Sequence, residues 1–343
     1  REIDYDPKFR LVLVTKHQNP QFLPDVFIQL SVVNFAVTPL GLVEQLLTDV
    51  VKSERPEVEE ARAKLVVEIA EMKKTLDLQM KKILNLLFKS EGNILDNEAL
   101  ITTLQEAKAT ASEVSTRLEE AEVTEKKNAE LCDIYRGVAA RGSTLFFTLP
   151  DLPSVDPMYQ YSLEFFKSLF VNCIQQAPPS DDINVRLQSL IDLITYRTYC
   201  SVSRGLFSRH QIFYSFILVT SIMRNEGTLP EEEWNLFVRG PSKLPPADEV
   251  SPPDSSIDLL TWRKIVAVSG CFKPLEPLAT DIQRNYDAWQ DFFVSERSTT
   301  LPPQYKDLTN FQRLLLISLT CQRKLLIATR EFIVAEYGER FAQ

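Results

Sequence analysis

The chain has 343 residues, 44% of them hydrophobic, which suits two or three domains that each bury a core. Its formal net charge of −9 argues against nucleic acid or an anionic membrane as the main partner. The five cysteines are too scattered for metal-ligand pairs and indicate a reducing compartment. We expect a soluble cytoplasmic protein, because the longest apolar run, 212–223, is too short to span a membrane.

Two apolar, β-branched stretches open the chain, Phe9–Thr15 and Phe27–Phe35, and each predicts a strand buried on both faces of a parallel sheet. A parallel sheet needs crossovers and further strands, so we expect the rest of the sheet upstream and the chain to be a fragment. Thr38 and Pro39 then form a candidate cap and first turn of a helix. The predicted buried face of that helix consists of Leu42, Leu46, Leu47 and Val50.

The next stretch, 57–135, predicts two long amphipathic helices folded back on each other. Apolar residues recur at alternating steps of three and four, the pattern of a coiled coil. We call these positions the seam; they are Val58, Arg62, Leu65, Ile69, Met72, Leu76, Gln79, Ile83 and Leu86, then Leu100, Leu104, Ala107, Ala111, Val114, Leu118, Ala121, Glu125, Asn128, Cys132 and Tyr135. Between the arms, Gly92 can end one helix and Asn97 can cap the next. At about 1.5 Å per residue each arm would reach roughly 50 Å and would project from a domain.

A glycine-spaced segment, 137–144, follows the second arm. Its spacing is that of a phosphate loop, but Ser143 stands where the lysine belongs and a helix, not a strand, precedes it. We therefore favour a connection from helix to strand over phosphate binding.

The remainder is predicted to be mostly helical. Helices are expected over 159–174, 183–200 and 206–224, with another starting near 229–234. Five prolines in 241–253 predict a linker, and further helices are expected over 258–268, 278–294 and 311–337.

An ordered series of short motifs along the chain resembles dynein heavy chains, and especially their fifth AAA+ module. These motifs are Phe9-Arg-Leu, Thr15-Lys16, Asn19-Pro20, Val33-Asn34-Phe35, Val37-Thr38, Gly41-Leu42, Gln45-Leu46-Leu47, Glu54-Arg55-Pro56-Glu57, Gly92-Asn93-Ile94-Leu95-Asp96, Ala121-Glu122, Thr124-Glu125, Tyr135-Arg136, Asp156 to Leu163, Arg204-Gly205-Leu206-Phe207 and Phe311 to Leu316. The turn and the DPMYQYSL motif look more axonemal than cytoplasmic.

The resemblance implies a mixed, mainly α fold. It would comprise the C-terminal part of an AAA+ α/β large domain, a long antiparallel coiled-coil hairpin, a helical AAA+ small domain and part of the next module. The implied divisions are 1–55 for the end of the fifth large domain and the first small-domain helix, 56–136 for the hairpin, 137–240 for the rest of the fifth module, and 241–343 for the start of the sixth.

In this family the hairpin is the buttress, which contacts the stalk that carries the microtubule-binding domain. The implied stalk-contact tip consists of Glu91, Gly92, Asn93, Ile94, Leu95, Asp96 and Asn97. Asn19 is at most a vestigial nucleotide-sensor position. No catalytic residue, metal site or cofactor is expected in this segment, and ATP and Mg²⁺ would bind elsewhere in the parent motor.

The implied partners are the rest of the heavy chain, namely the stalk and neighbouring AAA+ modules, and, indirectly, microtubules and other dynein chains. No nucleic acid or membrane is expected, and the implied location is the cytoskeleton and the ciliary axoneme.

Two departures from the family pattern affect the module boundaries. Gly137 replaces the usual proline after Tyr135-Arg136, and residues 320–324 replace an Arg-Pro-Asp-Arg stretch. Two other hypotheses of function stay open. One is a free-standing coiled-coil scaffold, and the other is a nucleotide hydrolase that uses 137–144. A hydrolase is disfavoured by the missing lysine and by the lack of a hydrophobic run ending in acids for magnesium.

Overall fold

The computed structural model describes residues 6, 8–15, 21–33, 35, 37–89, 98–254, 257–294 and 299–342. These residues are mainly helical, as predicted. Their fourteen α-helices are α1 Pro24–Gln29, α2 Pro39–Glu54, α3 Pro56–Lys89, α4 Glu98–Asp133, α5 Arg136–Phe147, α6 Leu163–Gln176, α7 Ile183–Ser203, α8 Ser208–Asn225, α9 Glu231–Arg239, α10 Leu259–Cys271, α11 Leu278–Arg284, α12 Tyr286–Val294, α13 Asn310–Thr320 and α14 Leu325–Tyr337.

The two predicted strands were wrong for the described residues, among which no strand occurs. Residues 9–15 are exposed and irregular, and α1 occupies the start of the second stretch. Apolar side chains of both stretches are exposed to solvent: Val14 is 91% exposed and Phe35 is 89% exposed. A strand is completed by backbone hydrogen bonds to a neighbour, and the described part of the chain supplies no neighbouring strand for these segments.

The predicted start and buried face of α2 are confirmed. The Thr38 side chain accepts a hydrogen bond from the Gly41 backbone N–H at 3.2 Å, and Pro39 opens the helix. Leu42, Leu46, Leu47 and Val50 are all buried. The cap and the apolar stripe therefore set where α2 begins and which face it turns to the core.

A helical body forms around α2. Helix α5 packs on α2, α7 and α8, while α6 packs on α2 and α7. Gly142 lies at the closest approach, because a Cβ atom there would stand 2.6 Å from the Phe170 ring of α6 and 3.0 Å from Leu46 of α2. The absence of a side chain at Gly142 lets three helices meet at one point.

The C-terminal helices differ in two places from the sequence prediction. The stretch 278–294 is divided into α11 and α12, and 311–337 is divided into α13 and α14. At the second division Lys324 is fully buried, and its ammonium group donates a hydrogen bond to the Phe292 carbonyl. Burial lowers the pKa of Lys324. In the described part of the chain, no helix combines the length and the apolar character that a membrane span requires.

We predict that Gly142→Ala destabilises the chain by about 1–3 kcal/mol, because the added methyl group must displace the Phe170 ring or Leu46. Gly137→Ala is the matched control on the same helix, since no neighbouring element comes within 4 Å of the place its methyl group would take. The control should be neutral or stabilising by up to about 1 kcal/mol, because alanine favours helix. Urea unfolding measures both, and equal stability of the two variants would contradict the close helix contact.

Asp281 should make stability depend on pH in the acid range. Burial opposes its charge, but hydrogen bonds from Asn285, Trp289, Gln304 and Tyr305 outweigh burial and lower the pKa of Asp281 below its ordinary value of 3.8. A carboxyl with a lowered pKa stabilises the folded state above the unfolded-state pKa, and this stabilisation is lost as pH falls through the folded-state value.

We therefore expect the free energy of unfolding to fall below about pH 4, with a smaller fall in Asp281→Asn. Trp289 donates to Asp281 at 2.9 Å and is buried, so its fluorescence can follow the transition. Asp307→Asn, which removes an exposed carboxylate from the same surface pocket, should change stability at neutral pH by less than about 0.5 kcal/mol. An unchanged acid slope in Asp281→Asn would refute this role.

Candidate functional site

The candidate site is the long helix pair, α3 and α4, together with its attachment to the body. The two helices have 34 and 36 residues and pack on each other. Among the described side chains of α4, those shielded from solvent all lie at seam positions; they are Ala111, Val114, Leu118, Ala121, Asn128 and Cys132. In α3 the corresponding set is Val58, Arg62, Leu65, Ile69 and Met72, together with Glu59, which lies outside the seam.

The two helices run in opposite directions. A groove of about 490 Å³ is lined by Glu68, Glu71, Met72 and Thr75 of α3 and by Val114, Arg117, Ala121 and Thr124 of α4. Nearer the body, the charges of Arg62 and Glu59 act on Cys132. Residues early in α3 therefore lie beside residues late in α4.

The polar end of the seam lies near the body. Burial raises the pKa of the Cys132 thiol, Arg62 opposes that shift, and Glu59 and Asp133 add to it. All five cysteines are free thiols, and Cys132 and Cys173 are buried.

The sequence-predicted tip residues, Glu91, Gly92, Asn93, Ile94, Leu95, Asp96 and Asn97, lie outside the described residues. Asn19, the candidate vestigial sensor, lies outside them as well. Neither prediction is tested by the structure.

The helix pair joins the body through two short junctions, which we call roots. At the first root, Arg55 alone separates the end of α2 from Pro56, the first residue of α3. At the second root, Ile134 and Tyr135 separate the end of α4 from Arg136, the first residue of α5. Tyr135 is buried in the core of the body. The roots therefore continue directly into α2 and α5, which pack on each other.

An arginine sits at each root. At the first, Arg186 of α7 makes a two-point contact with Glu54, with Nε to Oε2 at 3.2 Å and Nη2 to Oε1 at 2.6 Å. The hydrogen bond with Glu54 raises the pKa of Arg186. At the second, Arg136 donates to Glu44 of α2 and to Asp133 of α4, each at 2.7 Å. Sequence reasoning missed the first contact because Arg186 and Glu54 are 132 positions apart.

The DPMYQYSL and RGLF motifs meet in the body. The Phe207 backbone N–H donates to the Tyr159 hydroxyl at 3.1 Å, and that hydroxyl lies 2.7 Å from Nδ1 of His210. The Tyr161 hydroxyl donates to the Val202 carbonyl at 3.2 Å and lies 2.8 Å from where a Cβ of Gly205 would be. Two tyrosines of one motif thus hold the turn formed by the other.

Residues 137–144 are not a phosphate loop, and the predicted helix-to-strand connection was also wrong, because all of them lie within α5. The Ser143 hydroxyl donates to the Pro39 carbonyl at 3.1 Å, and the Thr144 hydroxyl donates to the Ala140 carbonyl at 3.0 Å. A phosphate loop presents backbone N–H groups to its ligand, whereas here they lie within a helix. Within the described ranges, no group of three or more His, Cys, Asp or Glu residues is placed to hold a metal ion.

Comparison of the sequence with known proteins shows the family of this chain. A family model described as the ATP-binding dynein motor region matches residues 1–114. Over its full length the chain is 37% identical to human dynein axonemal heavy chain 6 and 33% identical to the dynein-1-beta heavy chain, flagellar inner arm I1 complex, of Chlamydomonas reinhardtii. It is 32% identical to the ciliary dynein beta chain of Heliocidaris crassispina. The chain belongs to the dynein heavy chain family.

The dynein match has two limits in extent. The chain spans only 9%, 8% and 8% of the length of those three relatives. The dynein motor model ends at residue 114, so it includes α2, the whole of α3 and the first part of α4. The match therefore includes the first root and the whole first arm, α3, of the helix pair.

We predict that Tyr159→Phe destabilises this dynein segment by about 1–3 kcal/mol, because it leaves the Phe207 N–H and His210 Nδ1 without the hydroxyl. Met158→Ala is the control in the same motif, since Met158 is 77% exposed, and it should stay within about 0.5 kcal/mol of the wild type. Urea unfolding is the measurement. Equal effects of the two changes would show that the tyrosine does not hold the RGLF turn.

Proposed function

We propose that the chain is a structural and mechanical segment of an ATP-driven microtubule motor, in which α3 and α4 relay a rearrangement of the motor ring. The observation that carries the proposal is the antiparallel helix pair, which is joined to a helical body by two short roots. At about 1.5 Å rise per residue, each helix extends roughly 50 Å. The main contacts of α3 outside the pair are with α2, beside the first root.

The finer assignment follows the family. In this proposal the helix pair is the coiled-coil buttress of the fifth AAA+ module, and residues 91–97 form the tip that contacts the stalk. Residues 1–55 comprise the end of the fifth large domain and the first small-domain helix, 56–136 the hairpin, 137–240 the rest of the fifth module, and 241–343 the start of the sixth. The seam burial in α3 and α4 supports coiled-coil packing, because the shielded positions follow the three-and-four spacing.

Two packed helices suit a relay. Interfaces between packed helices move between discrete arrangements instead of bending continuously, so a displacement at one end can reach the other. The proposed partners are the stalk, the neighbouring AAA+ modules and, through them, microtubules and other dynein chains. ATP and Mg²⁺ act elsewhere in the parent heavy chain, and Asn19 is a sensor vestige in this scheme.

The proposed location is the cytoskeleton of the ciliary axoneme. The relatives named above are an axonemal, a flagellar inner-arm and a ciliary dynein. An antibody to the peptide 91–103, applied to a denaturing gel of ciliated tissue, tests the assignment. Because the chain is 9% or less of these relatives, the band should be roughly ten times the 39.3 kDa of this chain or more. A band near 39.3 kDa would favour the free-standing coiled-coil scaffold.

We predict that Val114→Pro in the intact motor abolishes microtubule stimulation of ATP turnover while leaving basal turnover in place. Proline in a helix interior costs about 3 kcal/mol or more and breaks the helix, here in the middle of α4. Val114→Ala is the matched control, because it shortens the same seam side chain and keeps the helix. Steady-state ATPase with and without microtubules is the measurement, and normal stimulation in Val114→Pro would rule out the relay.

A further inference from the structure

We propose that Arg186 and Arg136 are positioning residues that clamp the two roots of the helix pair to the body, so that the pair moves with the body as one lever. The inference rests on the proposed function and adds the residues that would make the relay stiff. Glu54 is the last residue of α2 and immediately precedes the first root, and Arg136 is the first residue of α5 and immediately follows the second.

The first clamp joins three elements through one guanidinium group. Besides its two contacts with Glu54, Arg186 donates to the Pro178 carbonyl at 2.7 Å and to the Ile174 carbonyl of α6 at 3.2 Å. The side chains of Arg186 and Glu54 are only 12% and 14% exposed. A planar guanidinium held at two points on a carboxylate fixes direction as well as distance. The end of α2 is thereby oriented relative to both α6 and α7.

The second clamp is more exposed and links helices across the other root. The Arg136 side chain is 46% exposed, and its partners Glu44 and Asp133 are similarly open to solvent. Exposed ion pairs contribute little to stability. Their geometry is nevertheless specific here, because Arg136 connects the last residue of α4 to α2 on the body. We assign the larger share of root stiffness to Arg186 and a smaller share to Arg136.

Leverage explains why root stiffness matters. With an arm of roughly 50 Å, a rotation of about 6° at the root displaces the far end by about 5 Å, close to one helical turn. A rotation of this size at a loose root would therefore cancel a displacement as large as the one that a packed helix interface transmits. A loosened clamp should therefore weaken the relay while the helix pair and the body remain folded.

The test uses the intact motor with Arg186→Lys and Glu54→Gln. Lysine keeps the charge but loses the two-point fork, and glutamine keeps the shape but loses the charge. The control is Arg224→Lys with Glu231→Gln. Arg224 makes a two-point contact of the same kind with Glu231, at 3.1 and 2.9 Å, away from the roots, and these side chains are 37% and 61% exposed. The readouts are basal ATPase, microtubule-stimulated ATPase, and microtubule affinity in two nucleotide states.

We expect each root variant to keep its basal ATP turnover. The ratio of the microtubule affinities in the two nucleotide states should fall by about fivefold or more. The double variant should be no worse than either single variant, since both remove one interaction. Arg136→Gln should show a smaller loss in the same direction, and the Arg224 and Glu231 controls should behave as wild type.

Three outcomes would overturn the clamp. A normal nucleotide-dependent change in microtubule affinity in Arg186→Lys would show that the orientation of the root does not depend on the two-point contact of Arg186 with Glu54. A proportional fall of basal and stimulated turnover, together with a lower melting temperature, would show a purely structural role. Equal losses in the Arg224 control would show that the effect is not specific to the roots. Val114→Pro separates the two proposals: if it uncouples the motor and Arg186→Lys does not, the clamp fails and the relay stands.

Discussion

The close contact of α5 with α2 and α6 at Gly142 is the constraint on which the rest of the structure depends. A Cβ atom there would lie 2.6 Å from the Phe170 ring and 3.0 Å from Leu46. Helix α2 leads into one arm of the long pair and α5 continues from the other. Interiors packed at crystal-like density resist deformation, so this contact fixes the separation of the two roots. The attachment of the pair is thus decided inside the body.

Local patterns in the sequence were enough to predict the long helices and the start of α2. The three-and-four spacing of the seam, and Thr38 followed by Pro39, are signals contained within a few turns of one helix. The contact of Arg186 with Glu54 and that of Tyr159 with Phe207 could not be predicted in this way. Each contact joins residues far apart in sequence. No local sequence pattern around Arg186 or Tyr159 indicates which residue it will contact.

The wrong strands have a different cause. Alternating or continuous apolar residues indicate that side chains become buried, but the pattern does not identify the element that they pack against. In residues 9–15 the apolar side chains are exposed, as they are at Ile28 and Val33. Because a strand also needs a neighbouring backbone, the apolar pattern alone could not establish one. The glycine spacing of 137–144 was also ambiguous. These residues lie within α5, and Gly142 is a glycine position because Phe170 and Leu46 leave no room for a side chain there.

A lever also requires that its two helices do not slip past each other. Apolar seams pack well in more than one register, whereas a polar seam residue specifies register at some loss of stability. Of the four polar seam residues, Arg62, Glu125 and Asn128 lie in the half of the pair nearer the roots, and Gln79 lies in the outer half of α3. Three of the four residues that can specify register thus lie on the side of the pair that meets the body, near the clamps that orient it. Under the proposed function, this arrangement makes the pair transmit motion as one unit and leaves sliding to the partner it contacts.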